Sequence, residues 1–467
     1  MMQKWIRFFS VLVLLGLACP AIAADETLQY FQEKVASQQL PEADIALKNK
    51  DYQKAFSIYE HFAEGNVPVA EYQLAYLYQN GLGVDKKPEL AVAWYMKASS
   101  QGLPEAQFAM ATLYYYGVGV EQGLSMAVTL YNQAAKNNNP LAQYMLGYLA
   151  ANGFGMTQNL NTALDWYSKA AAAGVPEAQY NLGLMYYTGQ GVSKEDGKAF
   201  SWFNLAAEQG LPKAQFMLGV MYSLGRAVPT DKTQAFYWYN KAAQAGLPEA
   251  QYNLGILYYN GSGTTVNLNS AVSWIKKAAD QDDARAQYFW GYLTYNGIGV
   301  AKNIQQAIDW YEKAAGQGFS EAQFALGFLY HNGLGVAKDD RQAFSWYMAA
   351  AKQGLANAQY MVGLFYQQGM GVISDPKAAA YWYTEAAEQG MDNAQLLLGV
   401  MYSQGQGISR DNQAAYAWFD LASTSSNTEI RDSALKMRDG LGKTMTAGDI
   451  NAAKRLSQSY YSKYATQ

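Results

Sequence analysis

Cysteine and histidine are nearly absent from this 467-residue chain, which contains one cysteine and two histidines. A single cysteine cannot form an intramolecular disulfide, so the fold does not depend on disulfide bonds. The histidines, His61 and His331, are 270 residues apart, whereas zinc and copper sites need several such ligands close together. We therefore predict no metal and no cofactor, and interpret both histidines as ordinary surface or groove residues.

An excess of charge of one sign is also missing, because 34 basic residues stand against 38 acidic ones. No segment is rich in lysine or arginine, so we expect no nucleic-acid partner. Beyond the N-terminal segment, no apolar stretch reaches the length of about 20 residues that a membrane-spanning helix needs. We therefore expect no membrane insertion.

Residues 1–23 have the pattern of a Sec signal peptide. Lys4 and Arg7 precede an apolar stretch, and an Ala-Ile-Ala sequence ends at Ala23. The alternative is lipoprotein processing at Cys19, although the residues before this cysteine fit a lipobox poorly. We expect export by Sec to the periplasm, the cell surface or the medium, and a mature chain without cysteine.

The main feature of the remaining chain is a pattern that recurs every 36 residues, ten times in register. A glycine follows each marker alanine by eleven residues, and a tryptophan follows it by 24 residues in nine of the ten repeats. The marker alanines are Ala70, Ala106, Ala142, Ala178, Ala214, Ala250, Ala286, Ala322, Ala358 and Ala394.

Each repeat is predicted to form two helices. In the fourth copy, Pro176 suits a first helical turn, and Ala178, Leu182 and Met185 form an apolar stripe at helical spacing. Gly183 lowers helix propensity, so we expect it to allow another helix to approach closely. The second helix ends at a residue type that tolerates the left-handed conformation. These residues are Gly102, Asn138, Gly174, Gly210, Gly246, Asp282, Gly318, Gly354 and Gly390.

Amphipathic helix pairs of this length bury their apolar faces only by stacking on one another. The predicted fold class is therefore an all-α, α/α solenoid of about eleven 36-residue helix-turn-helix repeats with N- and C-terminal capping helices. Residues 24–69 form the N-terminal cap and a degenerate first repeat, and residues 70–425 form the tandem array. Residues 426–467 form the C-terminal capping helices.

The repeat pattern, A-x-x-x-L-G-x-x-Y-x-x-G-x-G-V followed by A-x-x-W-Y-x-x-A-A-x-x-G, resembles the Sel-one-like repeat, a relative of the tetratricopeptide repeat. The resemblance covers roughly residues 50–425. It implies a right-handed superhelix that binds proteins or peptides and has no catalytic activity. The layout is similar to that of secreted bacterial members, one of which binds secretory immunoglobulin A.

The glycine pair of each repeat, for example Gly189 and Gly191, is interpreted as a turn. A phosphate-binding loop lies between a strand and the N-terminus of a helix, whereas this pair follows one helix and leads to another. Ala227 replaces the second glycine of one pair without changing the phase of the repeat. Together with the lack of any serine–histidine or cysteine–histidine arrangement, this predicts that the protein is not an enzyme.

The tetratricopeptide pattern predicts that four positions of each first helix face a concave groove. They lie one residue before the marker alanine, and two, six and nine residues after it, and we call them groove rows −1, +2, +6 and +9. Row +2 is nearly the same in every repeat, which is also typical of core residues, whereas row +9 varies. The candidate partner-binding residues are Tyr180, Tyr252 and Tyr288 in row +2, and Tyr115, Tyr187, Tyr259, Tyr295 and His331 in row +9.

Tyrosine offers a large contact area at low side-chain entropy, which is typical of recognition surfaces. We therefore predict a monomer that binds another protein, either a host protein such as secretory immunoglobulin A or a protein of the cell envelope. Two alternatives stay open, namely a structural link in an envelope assembly and a hydrolase acting on cell wall or β-lactams.

Overall fold

The computed structural model describes residues 40–464, and this part of the chain consists of α-helices joined by turns. The predicted signal peptide lies outside the described residues, as do residues 24–39 and 465–467 of the predicted caps. Two helices, Pro41–Lys48 and Tyr52–Glu64, precede the ten repeats, and two more, Thr428–Gly442 and Ala447–Tyr464, follow them.

Each of the ten repeats contains two helices, as the sequence predicts. The first helices are Pro68–Asn80, Pro104–Tyr116, Pro140–Asn152, Pro176–Thr188, Pro212–Leu224, Pro248–Asn260, Ala284–Asn296, Ser320–Asn332, Ala356–Gln368 and Asp392–Gln404. The second helices are Pro88–Ser100, Leu124–Lys136, Leu160–Ala172, Asp196–Glu208, Lys232–Gln244, Leu268–Asp280, Ile304–Gly316, Asp340–Lys352, Pro376–Glu388 and Asn412–Ala422. Consecutive helices pack against each other, so the fold is an α/α solenoid.

The residues that were predicted to end the second helices do adopt the left-handed conformation. Asn138 and Asp282 have φ values of 60° and 65°, and the glycines at the same place in other repeats have φ values of 79–94°. Ala227 also has a positive φ, 64°, in the turn where other repeats have their second glycine. A non-glycine residue is strained in this conformation, so the backbone of this turn is more strained than that of the turns with a second glycine.

Two compact units divide the chain, and the division falls between Ala250 and Gln251. In the unit that ends at Ala250, the core is built from buried alanines and from the apolar faces of both helices of each repeat. The unit that begins at Gln251 repeats this arrangement in several smaller clusters. All ten marker alanines are completely buried, which explains why the smallest apolar side chain recurs at this place.

The predicted role of Gly183 is confirmed. A Cβ atom added to Gly183 would lie 2.7 Å from Cε1 of Phe203, on the second helix of the same repeat. The glycines at the same place in other repeats meet the ring of a tyrosine, a phenylalanine or, at Gly255, the side chain of Ile275 in the same way. This contact sets the spacing between the two helices of a repeat.

A buried glutamine follows the marker alanine in nine repeats, and in at least four of them it joins three helices. In the repeat 176–211, Gln179 donates from Nε2 to the carbonyl oxygen of Ala171 in the preceding second helix, at 3.2 Å. Its Oε1 accepts a hydrogen bond of 2.8 Å from Gln209, at the end of the second helix of its own repeat. Gln287, Gln323 and Gln359 make the same pair of bonds in the other unit.

The first repeat has Glu71 in place of this glutamine. Glu71 is fully buried and forms an ion pair of 3.0 Å with Lys97. Lys97 also donates to the carbonyl oxygen of Ala63 at 3.3 Å, which is the bond that the glutamine amide makes elsewhere. Gln101 donates to the second carboxylate oxygen at 2.6 Å. A charged pair thus replaces the neutral amide, with the same hydrogen-bond partners.

The close contact at Gly183 predicts opposite effects of the same substitution at two glycines. Gly183→Ala should lower the free energy of unfolding by about 1–3 kcal/mol, because Phe203 must move to make room for the methyl group. Gly197→Ala is the control, since no atom lies within 4 Å of its added Cβ, and it should be neutral or slightly stabilising. Thermal unfolding followed by circular dichroism tests both, and equal midpoints for the two variants would contradict the contact.

The pair formed by Glu71 and Lys97 predicts a rescue. Lys97→Met should lower stability by about 2 kcal/mol, less than for a fully buried pair because the Lys97 side chain is 38% exposed. Adding Glu71→Gln should recover most of the loss, since the amide can then donate to Ala63. Lys169→Met, in a repeat that already has Gln143, is the matched control in thermal unfolding. If the double variant recovers no stability, the unpaired charge of Glu71 is not the cause of the loss in Lys97→Met.

Candidate partner-binding surface

Row +2 forms ring pairs inside eight of the ten repeats. Tyr144 packs on Tyr167 with ring centroids 5.9 Å apart, and Tyr360 packs on Tyr383 at the same distance. In the unit that ends at Ala250 these rings are buried, whereas Tyr252 and Tyr288 in the other unit are half-buried. The interpretation of row +2 as a core row therefore fits the first unit, and the second unit leaves part of the row accessible.

Tyr180 does not have the open position that the groove pattern predicts. Only 3% of its surface is exposed, because its ring packs on Phe203 with centroids 5.7 Å apart. Its hydroxyl oxygen is buried and has no hydrogen-bond partner among the described residues. Burial raises the pKa of this hydroxyl, and the nearby carboxylate of Glu249 raises it further.

Tyr187 is likewise covered, although row +9 was expected to be open. Its exposed fraction is 2%, because the guanidinium of Arg226 lies 3.7 Å from the ring centroid and Phe203 packs on the other side. Arg226 is held there by Asp196, whose carboxylate accepts from Nε at 2.9 Å. The expectation that Tyr187 is accessible is therefore wrong, because a side chain from the next repeat covers it. The only signal in the sequence is that Arg226 is charged, whereas the other repeats have an uncharged residue at this place between the two turn positions.

In the unit that begins at Gln251, the predicted tyrosines come together around a phenylalanine. The rings of Tyr252 and Tyr259 lie 6.4 and 5.4 Å from that of Phe289, and Tyr292 stacks on the same ring at 5.6 Å. Tyr252 and Tyr259 are half-buried. Sequence reasoning missed Phe289 because it lies one position beyond row +2.

Burial raises the pKa of three tyrosine hydroxyls in the groove rows of this unit, so they are neutral at physiological pH. Burial raises the pKa of Tyr288 to about 12, with smaller contributions from Glu321 and Tyr292. Burial also raises the pKa of Tyr252, which Arg285 partly opposes, and the pKa of Tyr259. Neutral phenols in an apolar setting donate and accept hydrogen bonds and offer ring surface. This chemistry suits recognition of a partner rather than proton transfer near neutral pH.

The remaining residues of row +9 are half-buried and differ in their surroundings. Tyr115 packs edge-on against Tyr116 at 4.8 Å, and the Lys302 ammonium lies 5.9 Å from the Tyr295 ring. His331 shares a hydrogen bond of 2.6 Å between its Nδ1 and the carboxylate of Asp340. The surroundings of the row therefore vary between repeats, as they do in a surface that contacts a non-repetitive partner.

Groups of three or more histidine, cysteine, aspartate or glutamate side chains placed to hold a metal ion do not occur between residues 40 and 464. Within the same residues, no helix has the length and apolar character needed to cross a bilayer. An open cavity of about 580 Å³ lies between the last repeat and the C-terminal cap. Its lining carboxylates already accept hydrogen bonds, Asp411 from the backbone N–H groups of Gln413 and Ala414, and Asp449 from the side chains of Thr446 and Gln413.

The helix pairs, their constant length and the aromatic first-helix surface define a tetratricopeptide-like solenoid, a class of repeat proteins that bind other proteins. The chain belongs to the Sel1 repeat family, whose repeat description matches 360 of its residues without a gap. The ten matched repeats are residues 68–103, 104–139, 140–175, 176–211, 212–247, 248–283, 284–319, 320–355, 356–391 and 392–427.

Two solved structures illustrate the similarity. A protective antigen of uropathogenic Escherichia coli strains with the same repeat fold is 33% identical, with a TM-score of 0.59, over 88% of this chain and 95% of that protein. A Sel1 repeat protein from Oxalobacter formigenes is 32% identical, with a TM-score of 0.52, over 66% of this chain and 90% of that protein. A comparison with curated protein sequences gives no match.

The cover over Tyr187 can be tested by removing the arginine. Arg226→Ala should lower the free energy of unfolding by about 1–2 kcal/mol, through loss of the charged hydrogen bonds and of the cation–π contact. It should also make Tyr187 reactive toward tetranitromethane, which peptide mass mapping detects. Arg410→Ala, at an exposed loop position, is the control. Unchanged nitration of Tyr187 in the Arg226 variant would show that Phe203 and the backbone suffice to shield it.

Proposed function

We propose that this chain is an exported, non-enzymatic repeat protein that binds another protein through the tyrosines of its groove rows. The observation that carries the proposal is the cluster around Phe289. There, half-buried aromatic rings with neutral hydroxyl groups lie on consecutive repeats, and none of them is needed to close a helix or a turn. Rigid aromatic side chains with polar tips are the residues that contribute most to protein–protein binding.

The proposed partner is a host protein such as secretory immunoglobulin A, which gives the chain a role at the host interface. Two observations support this choice over an envelope protein. The N-terminal sequence fits a Sec signal peptide, and the 33% identical relative is a protective antigen of a uropathogenic bacterium. An antigen that protects has to meet host antibody, which requires exposure outside the cell.

The row +9 tyrosines of the unit that begins at Gln251 predict a specific loss of affinity. Tyr259→Ala together with Tyr295→Ala should weaken binding to secretory immunoglobulin A by about tenfold or more, because aromatic anchors at an interface are worth about 2 kcal/mol or more. The measurement is surface plasmon resonance with the purified chain. Circular dichroism confirms that the variant is folded.

The control changes the same residue type on the second helices. Tyr237 and Tyr381 are 46% and 57% exposed, and their replacement by alanine should leave the affinity within about twofold of the unchanged chain. Equal losses in both double variants would contradict the groove assignment. If the unchanged chain does not bind secretory immunoglobulin A, the choice of this partner is wrong, and cell fractionation then distinguishes a periplasmic from a host-facing role.

A further inference from the structure

We propose that groove row −1 of the unit that ends at Ala250 binds a basic segment of the partner protein, whose lysine or arginine side chains pair with Glu105, Glu177 and Glu249. This inference rests on the proposed function, since it names the chemistry of the segment that the groove receives. It concerns a different unit from the tyrosine cluster around Phe289, so the two surfaces can be tested separately.

The three glutamates occupy the same position in alternate repeats, 72 residues apart. All three are half-buried. An acidic residue in the first turn favours any helix, but the intervening repeats have Leu141 and Lys213 at this place. The repeat therefore does not need a carboxylate there for its own stability. The presence of glutamate in alternate repeats needs another explanation.

Buried polar atoms without partners lie beside two of these carboxylates. The Oε2 atom of Glu249 is inaccessible and has no hydrogen-bond partner among the described residues, and the same holds for the hydroxyl of Tyr180 next to it. The hydroxyl of Tyr72 is likewise completely buried and unpartnered, and the carboxylate of Glu105 is near enough to raise its pKa. Such groups are rare in folded proteins because each costs free energy. A cation bound beside these carboxylates would offset part of this cost.

The charge of this row is also uncompensated. Among residues 40–464, no ion pair involves Glu105, Glu177 or Glu249. In the other unit, by contrast, the row begins with Arg285, which pairs with Asp283. Half-buried carboxylates are screened less by salt than exposed ones. A row of them therefore attracts cationic side chains, which fits a lysine- or arginine-bearing segment.

Lys213 refines the expected pattern. It is the one basic residue in row −1 of this unit and stands between Glu177 and Glu249 in the sequence. A cation opposite Lys213 is repelled, because like charges in a desolvated interface are unfavourable. The segment should therefore place a neutral or acidic side chain there, between its basic ones.

The test uses the full chain and a defined probe. The probe is a fluorescent peptide of roughly 20 residues in which lysine alternates with serine, and its reference is the same peptide with acetylated lysines. Fluorescence anisotropy should show about tenfold tighter binding of the lysine peptide, with an affinity that falls as salt is raised. Equal affinity of the two peptides, or no binding of either, would overturn the proposal.

Isosteric variants show which glutamates bind the lysine peptide. Glu105→Gln, Glu177→Gln and Glu249→Gln together should weaken binding of the lysine peptide by about tenfold or more. The matched control removes the same net charge at exposed positions, through Glu89→Gln, Glu121→Gln and Glu208→Gln, and should change the affinity by less than about twofold. Equal losses in the two variants would show a general effect of net charge and contradict the proposal.

The same variants separate this inference from the proposed function. One possible result is that the Tyr259 and Tyr295 variant loses binding to secretory immunoglobulin A, whereas the three-glutamine variant keeps it. This result would contradict the proposal that the partner presents a basic segment, and it would leave the protein-binding role intact. If the three-glutamine variant loses only its binding to the lysine peptide, the result supports the proposal of a basic segment even if immunoglobulin is not the partner.

Discussion

The buried amide of the glutamine that follows the marker alanine in nine repeats is the interaction on which the repeats depend. Gln179 donates to the second helix of the preceding repeat and accepts from the second helix of its own. A buried amide costs free energy when one of its polar atoms is left unpaired. Repeats that hold both partners at fixed positions are therefore favoured, which fits a repeat of constant length without insertions. Gln107 and Gln215, whose Oε1 atoms have no described partner, show that the amide persists where it is not fully paired.

Packing and recognition use different parts of the first helix. The marker alanine and the residue at the place of Gly183 set the distances between helices, and they vary little. The groove rows carry the differences between repeats, from Tyr259 and Tyr295 to His331. Burial keeps the phenols neutral, so the tyrosine cluster recognises by ring surface and hydrogen bonds, while row −1 of the other unit supplies charge.

The sequence predicts the helix pairs, their ends and the close contact at Gly183, because each depends on local geometry. Asn138 and Asp282 could be assigned to left-handed turns since few residue types tolerate that conformation. The exposure of Tyr187 could not be predicted in this way. Periodicity tells which side of a helix a residue faces, whereas the cover comes from Arg226, a long side chain in the following repeat. The position of Phe289 among the tyrosines likewise depends on contacts between repeats.

The near-identity of the repeats has a further consequence for folding. In an array of near-identical units, two copies of the chain can exchange repeats with a shift of one unit and keep almost every apolar contact, which is a common route to misassembly in repeat proteins. Glu71 and Lys97 lie in the same repeat, and Lys97 contacts the preceding helix through the backbone carbonyl oxygen of Ala63. The pair therefore moves with its repeat and does not oppose such a shift, so the register has to be set by the helices that flank the array.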